Sequence, residues 1–202
     1  MTIENIEQAR NSINNSFEQI QSECKSVLGS ELHYQAIIYH CLRLYGKVPN
    51  SQIGMNVKIT FINPKSEFFR EAIKNLNKAY QKNKSGQEGK EIIPDITIFS
   101  KNVKADFRRR NTKNTLKETL YSLEVKASER KNGRLRPKEI KTDILKLKAQ
   151  YSETKIKHNK EIGIGMLVID TAPKNNERMT KISLDEVIEF AKDNNVDFWY
   201  CS

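Results

Sequence analysis

Two segments decide the fold of this chain: EIIPDITIFS (residues 91–100) and LYSLEVKA (residues 120–127). The first is rich in isoleucine, which is typical of a β-strand, but Asp95 interrupts its apolar side chains with a charge. Successive side chains of a strand point to opposite faces, so the second segment places its apolar side chains together: Tyr121, Leu123, Val125 and Ala127. Glu124 and Lys126 then point together from the other face. We predict two strands that carry a carboxylate pair and a lysine.

A strongly basic loop connects the two segments. Its lysines and arginines are Lys101, Lys104, Arg108, Arg109, Arg110, Lys113 and Lys117. Next to acidic strands, such a loop is a candidate clamp for nucleic-acid phosphates, and the alternative is a disordered charged insertion. A second basic turn follows the second segment. The candidate nucleic-acid-binding residues are Arg108, Arg109, Arg110, Lys113, Arg130, Arg134 and Arg136.

The composition favours a polyanionic partner. The 202 residues include 35 Lys and Arg against 25 Asp and Glu, which gives a net charge of +10. Such an excess is typical of a nucleic-acid-binding protein, although a surface kept soluble by charge is the alternative. The length fits one domain with a core of its own.

Cysteine usage and apolar patterning indicate a cytoplasmic protein. Cys24, Cys41 and Cys201 are odd in number and lack the paired spacing of a zinc site, which favours a reducing compartment. The first residues show no basic start followed by an apolar run, and no window approaches ~18 consecutive apolar residues. We therefore expect neither secretion nor insertion into a membrane.

Residues 3–28 carry a helical heptad pattern. Apolar positions recur in steps of three and four: Ile3, Ile6, Ile13, Phe17, Ile20, Cys24 and Val27. Asn11, Asn14 and Asn15 weaken this helix, so it needs a partner surface. We assign residues 1–29 to an N-terminal amphipathic helix that either packs on its own domain or mediates a homodimer.

The rest of the chain alternates between helix and strand patterns. We expect helices over residues 30–44, 67–81, 137–151 and 183–191, and further strands over residues 57–63, 162–170 and 196–201. Glu31 lies in the first turn of the helix that Ser30 caps, where a carboxylate also complements the helix dipole.

The order of these elements resembles the PD-(D/E)xK nuclease superfamily, which includes many restriction endonucleases. The resemblance covers about residues 30–170 and rests on a helix with Glu31, a strand at Pro94-Asp95 and a strand with Glu124-Val125-Lys126. Of the six Glu-x-Lys triplets in the chain, only the one that starts at Glu124 lies in a strand pattern with apolar residues on the alternate face. Pro94-Asp95 is the only Pro-Asp pair in the sequence.

The resemblance implies a fold and a metal site. The fold is α/β, with a restriction-endonuclease-like mixed central sheet flanked by helices over residues 30–202 and an N-terminal helical extension. Asp95, Glu124 and the carbonyl of Val125 are the implied ligands of Mg²⁺, with Mn²⁺ as a substitute, and hard cations of this kind prefer oxygen ligands. Lys126 is the implied catalytic lysine that orients the attacking water, and Glu31 is an assisting acid.

Two features depart from the family pattern. Twenty-nine positions separate Asp95 from Glu124, which is long for this arrangement and requires the basic loop to project from the sheet. Some members carry a Gln-x-x-x-Tyr element on the next helix, whereas Gln150 and Tyr151 are adjacent here. Gln150 is therefore only a weak candidate for the site.

We expect a Mg²⁺-dependent DNA endonuclease, with a restriction or defence role and a homodimeric state. RNA stays open as a substrate. One alternative is a catalytically inactive nucleic-acid-binding protein on the same fold. Another is a basic scaffold that contacts protein partners through the heptad seam of residues 3–28.

Overall fold

The segment around Glu124 forms the central strand of the protein. The computed structural model describes residues 2–75, 81–82, 88–128 and 133–202. Its helices are α1 (Ile6–Lys25), α2 (Glu31–Leu44), α3 (Glu67–Asn75), α4 (Thr112–Glu118), α5 (Pro137–His158) and α6 (Lys181–Asp193). Its strands are β1 (Ile53–Met55), β2 (Ile59–Ile62), β3 (Gln81–Lys82), β4 (Glu88–Ile92), β5 (Ile96–Phe99), β6 (Thr119–Ala127), β7 (Gly163–Ile169) and β8 (Asp197–Cys201).

The larger sheet has five strands in the order β1-β5-β6-β7-β8 and is mixed. β1, β5 and β6 pair antiparallel, while β6, β7 and β8 pair parallel through the crossover helices α5 and α6. α1 and α2 cover one face, and α5 and α6 cover the other. The predicted α/β class, the mixed sheet flanked by helices and the N-terminal helix are confirmed.

Alternation along β6 separates an apolar face from a charged one, as the sequence predicts. Leu123 and Val125 join the core with α1 and α2. Lys126 points to the opposite face, where it meets Asp143 of α5. The charged side chains of β6 therefore lie beneath the first half of α5.

The prediction of one strand over residues 91–100 is wrong. The segment breaks at Ile93–Asp95, so that β4 joins a second sheet of order β2-β4-β3 and β5 joins the larger one. Pro94 explains the break, because proline lacks the N–H that would continue a ladder. Asp95 consequently lies at the junction of the two sheets.

Two further boundaries differ from the prediction. The strand expected over residues 57–63 is β2 of the smaller sheet, and the edge of the larger sheet is β1, which the sequence did not reveal. The helix expected over residues 67–81 is α3, which the structure describes to Asn75; residues 76–80 lie outside the described part of the chain.

α1 packs its heptad seam against its own chain. Ile13, Ile20 and Cys24 are fully buried in the core that α1 shares with β6. Arg10, which fills the gap in the heptad, donates to Asp197 of β8 at 2.6 Å. The helix therefore packs on a surface of its own chain. The domain boundary after residue 29 and the homodimer stay predictions.

The basic loop has defined structure. It consists of two short 3-10 turns, at Lys101–Val103 and Arg109–Asn111, followed by α4. Val103 is buried, and Phe107 packs on Phe99 with ring centroids 5.1 Å apart. The loop therefore folds back onto the sheet rather than projecting freely from it.

The three cysteines are buried and form no disulfide. Among the helices of the described residues, none is long and apolar enough to cross a membrane.

Candidate active site

Asp95 is held at the junction of the two sheets by three hydrogen bonds. Its Oδ2 accepts from the N–H of Val125 at 2.6 Å, and its Oδ1 accepts from Nε2 of Gln35 at 2.8 Å. Its backbone carbonyl accepts from the N–H of Asn56 at 3.0 Å. β5 pairs with β6 only as far as Leu123. Beyond that residue, the N–H of Val125 donates to the carboxylate of Asp95 rather than to a backbone carbonyl of β5.

Asp95 and Glu124 form a buried carboxyl pair. Each is only 8% exposed, and both line the same cavity. Burial raises the pKa of Asp95 to about 6, despite the opposing hydrogen bond from Val125. Burial, together with the charges of Asp95 and Asp143, raises the pKa of Glu124 well above its usual range. The fold therefore disfavours the charged forms of both carboxyls.

Lys126 lies between two carboxylates. Its Nζ is 3.0 Å from Oε2 of Glu31 and 3.2 Å from Oδ2 of Asp143. Burial opposes the charge of Lys126, but Asp143 and Glu31 outweigh it and raise the pKa of the lysine above its usual value. Asp143 also pairs with Lys146, one turn further along α5. Lys126 is therefore a cation at neutral pH, with its ammonium group fixed from both sides.

These side chains line a groove with two lobes. The first lobe has a volume of about 250 Å³ and the second about 240 Å³. The charged residues of the first lobe are Glu31, Lys90, Glu91, Asp95, Glu124, Lys126, Asp143 and Lys146. The charged residues of the second lobe are Glu31, Lys126, Arg134 and Glu139. Because both lobes include Glu31 and Lys126, this pair marks the place where they meet.

The structure brings together the four catalytic candidates: Asp95, Glu124, Lys126 and Glu31. Of the basic candidates, only Arg134 is among the described residues that line the groove, and its Nε donates to the carbonyl of Asn176 at 2.7 Å. Arg136 precedes α5, and its N–H donates to Glu139 at 3.4 Å.

The candidates in the basic loop are exposed and lie outside the lining of the groove. Arg108 pairs with Asp106 at 2.7 Å, while Arg109 and Arg110 lie on a 3-10 turn and Lys113 lies in α4. Arg130 lies outside the described residues.

Sequence reasoning missed Gln35, Lys90, Asp143 and Lys146. A signal existed for two of them: Gln35 is one helical turn after Glu31, and Asp143 falls within the buried stripe of α5, three residues after Ile140. A polar side chain in a buried stripe needs a hydrogen-bonding or ion-pair partner, so its position predicts a buried polar contact. No sequence pattern indicated Lys90, because the end of β4 and the whole of β5 were predicted to form a single strand.

Gln150 contacts the central strand of the sheet and is not among the residues that line the groove. It is fully buried, and its Nε2 donates to Oγ of Ser122 at 2.8 Å. Ser122 is two positions before Glu124 on the same face of β6, so Gln150 packs next to the carboxyl pair without lining the groove.

The donor set suits a hard cation with few protein ligands. Among the described residues, no group of three or more His, Cys, Asp or Glu side chains is arranged to hold a metal ion. Mg²⁺ does not require such a group, because it keeps several waters and binds through one or two carboxylates. Asp95 and Glu124 supply two. Both backbone groups of a strand residue face the same neighbour, so the carbonyl of Val125 faces the same side as its N–H, toward Asp95.

Comparison with known proteins adds no relative. No protein-family model, curated protein or solved structure matches this chain. A functional assignment therefore depends on the groove and its chemistry.

Proposed function

We propose that this protein is a divalent-metal-dependent DNA endonuclease of the PD-(D/E)xK superfamily, with a restriction-endonuclease-like fold. One observation carries the proposal: Asp95 and Glu124, two buried carboxyls with raised pKa values, line one groove together with Lys126. Burying ionisable groups is costly, and strongly raised carboxyl pKa values cluster at functional sites. Metal binding stabilises the charged forms of such carboxyls and releases their protons, so the pair suits a metal site.

The arrangement of elements supports the same family. α2 brings Glu31, β5 follows Pro94-Asp95, β6 carries Glu124 to Lys126, and α5 crosses over to the parallel strand β7. This is the order on which the resemblance depends, and the long insertion between Asp95 and Glu124 folds against the sheet without entering the groove.

The chemistry assigns a role to each side chain. A bound Mg²⁺ would lower the pKa of a coordinated water and offset the charge of a scissile phosphate. Asp95 and Glu124 would hold that ion, with the carbonyl of Val125 on the same side. Lys126 stays protonated, so it offsets charge on the phosphate and orients the attacking water rather than accepting its proton. Glu31 fixes the ammonium group of Lys126.

The alternative is a nucleic-acid-binding protein without catalysis, and a plasmid assay separates the two. We expect Mg²⁺-dependent nicking of supercoiled DNA that is abolished in Asp95→Asn and Lys126→Met. The matched controls are Asp106→Asn and Lys155→Met, which change an exposed acid and an exposed lysine outside the groove. Salt-sensitive DNA binding with no cleavage in Mg²⁺ or Mn²⁺ would favour the inactive alternative.

A further inference from the structure

The excess positive charge of the protein lies outside the groove. The net charge is +10, and residues 101–117 carry seven lysines and arginines against one acidic residue, Asp106. Among the described residues that line the two lobes of the groove, six are acidic and four are basic. A nucleic acid is a polyanion and is attracted by a basic surface. The strongest attraction is therefore expected at the loop before β6 and not at the groove.

Three cations of this loop share one side of a short helical segment. Arg110, on the second 3-10 turn, is followed at intervals of three and four residues by Lys113 and Lys117 of α4, and all three are exposed. The other side of the segment is buried through Thr115 and Leu116. Within the described part of the chain, no ion pair forms at Arg110 or Lys113, and Lys117 pairs with Glu118 only at 3.9 Å. The three charges therefore face solvent and are available to a partner.

The end of α5 adds positive charge to the same side. Nζ of Lys160 donates to the carbonyl of Lys117 at 2.6 Å, and Nζ of Lys157 donates to the carbonyl of Ile62 in β2. Burial lowers the pKa of His158, and the charges of Lys157, Lys160 and Lys117 lower it further. Like charges this close repel each other, and a bound polyanion relieves the repulsion. The distal basic surface consists of Arg110, Lys113, Lys117, Lys157 and Lys160.

The distal basic surface and the groove lie toward opposite ends of the same elements. Along α5, Lys157 comes eleven residues after Lys146 of the groove, a rise of about 16 Å. Along β6, Thr119 directly follows α4, and Glu124 comes five residues later, which is also about 16 Å. Successive phosphates of one strand of B-form DNA are about 3.4 Å apart along the axis, so this separation corresponds to about five base pairs.

We propose that the distal basic surface is a second nucleic-acid-binding site, which holds phosphates of duplex DNA about five base pairs away from the groove. This inference rests on the proposed function, because the groove acts on the same duplex. Basic side chains on phosphates give affinity without reading the sequence, so the surface anchors the substrate while the groove carries the chemistry. An acidic membrane is a poorer match, because helices that bind membrane surfaces also insert apolar side chains, and Leu116 of α4 is buried.

The test measures binding to a labelled DNA duplex of two helical turns, about 20 base pairs. Fluorescence anisotropy is recorded over a range of salt concentrations in EDTA, which removes divalent cations and so prevents metal-dependent cleavage. The distal variant removes the three exposed charges of the helical segment: Arg110→Gln, Lys113→Gln and Lys117→Gln.

A matched control variant removes three positive charges from exposed positions elsewhere: Lys25→Gln, Lys181→Gln and Lys192→Gln. These lysines are not among the residues that line the groove. Both triple variants lose the same net charge, so a difference between them reports where the charges lie. Circular dichroism of each variant establishes that it is folded.

We expect the distal variant to lower the dependence of log K on log salt by about 2.7, since each lost phosphate contact on a duplex removes about 0.9. Lys113→Gln alone should lower it by about 0.9, so the result does not depend on the folding of the triple variant. Equal slopes for the wild type and the distal variant, or an equal loss in the control variant, would overturn the inference. Tighter binding to phosphatidylserine vesicles than to the duplex, lost in the distal variant, would also overturn it.

The outcome is separable from cleavage. Plasmid nicking in Mg²⁺ by a distal variant that keeps the wild-type salt slope would reject the distal surface and leave the nuclease proposal intact. Duplex binding that requires the distal surface, with no cleavage in Mg²⁺ or Mn²⁺, would reject the nuclease proposal and support the surface.

Discussion

Replacing Asp95 by asparagine should stabilise the metal-free protein at neutral pH. Raising the pKa of Asp95 from 3.8 to about 6 costs the folded state about 3 kcal/mol once the carboxyl is ionised, at about 1.36 kcal/mol per pH unit. Asparagine removes this cost but gives up one of two acceptor oxygens, a loss of about 1–2 kcal/mol. Gln35 and Asn56 can turn their amides to accommodate the new donor. The net gain is about 1–2 kcal/mol, which raises Tm by about 3–6 °C.

The pH dependence of this gain follows from the sign of the pKa change. Below the ordinary value of 3.8 the Asp95 carboxyl is protonated in both the folded and the unfolded chain, so ionisation costs nothing. The cost grows as pH rises and is complete above the folded pKa of about 6. Asp95→Asn should therefore be less stable than the wild type near pH 4 and more stable near pH 7.5.

Thermal unfolding in EDTA across this pH range measures the effect. Asp106→Asn is the control, because its pKa changes in the opposite direction: hydrogen bonds from Arg108 lower the pKa of Asp106 to about 2. Its stability relative to the wild type should not improve as pH rises. An Asp95→Asn protein that is no more stable than the wild type at pH 7.5, or whose difference from it does not change with pH, would refute the electrostatic account of the carboxyl pair.

Three further substitutions test individual polar contacts of the fold, each by urea unfolding. Lys126→Met should cost about 1.5–3 kcal/mol, because it removes the ammonium group that pairs with Glu31 and Asp143, although Asp143 keeps Lys146 as a partner. Lys155→Met, which changes an exposed ion pair, should leave the unfolding midpoint nearly unchanged. Tyr121→Phe should cost about 2 kcal/mol, since the phenol donates to the carboxylate of Asp197 at 2.6 Å. Glu153→Gln should cost about 2–3 kcal/mol, because the buried carboxylate accepts three hydrogen bonds from the N–H groups that precede α3. Unchanged midpoints would contradict these assignments.

The sequence predicted the centre of the fold better than its edges. β6 was predicted correctly because apolar residues alternate with polar or charged ones over residues 121–127, which determines both the strand and its faces. The sequence did not show that β4 and β5 are separate strands. Their isoleucines form one continuous pattern although they belong to two sheets, and only Pro94 marks the break. β1 has three residues, too few for a periodic pattern.

The same contrast holds for the groove. Asp95, Glu124 and Lys126 were predicted from the strand patterns and from the resemblance to the PD-(D/E)xK superfamily, and all three line the groove. Asp143 and Lys146 come from a helix that begins after the strands, and only tertiary packing brings that helix over β6. The basic loop was expected in the groove from its charge, but its apolar residues direct its packing: Val103 and Phe107 pack against Phe99.

The central claim is that Asp95 and Glu124 together bind a divalent cation. Titration calorimetry with Mg²⁺ or Mn²⁺ at pH 6.5, repeated in buffers of different ionisation enthalpy, measures both the binding and the protons released. We predict one site that releases protons as the ion binds, because burial raises the pKa values of both carboxyls. The site is lost in Glu124→Gln but kept in Glu161→Gln, whose exposed carboxylate pairs with Lys155. Binding without proton release, or binding that survives Glu124→Gln unchanged, would contradict the account.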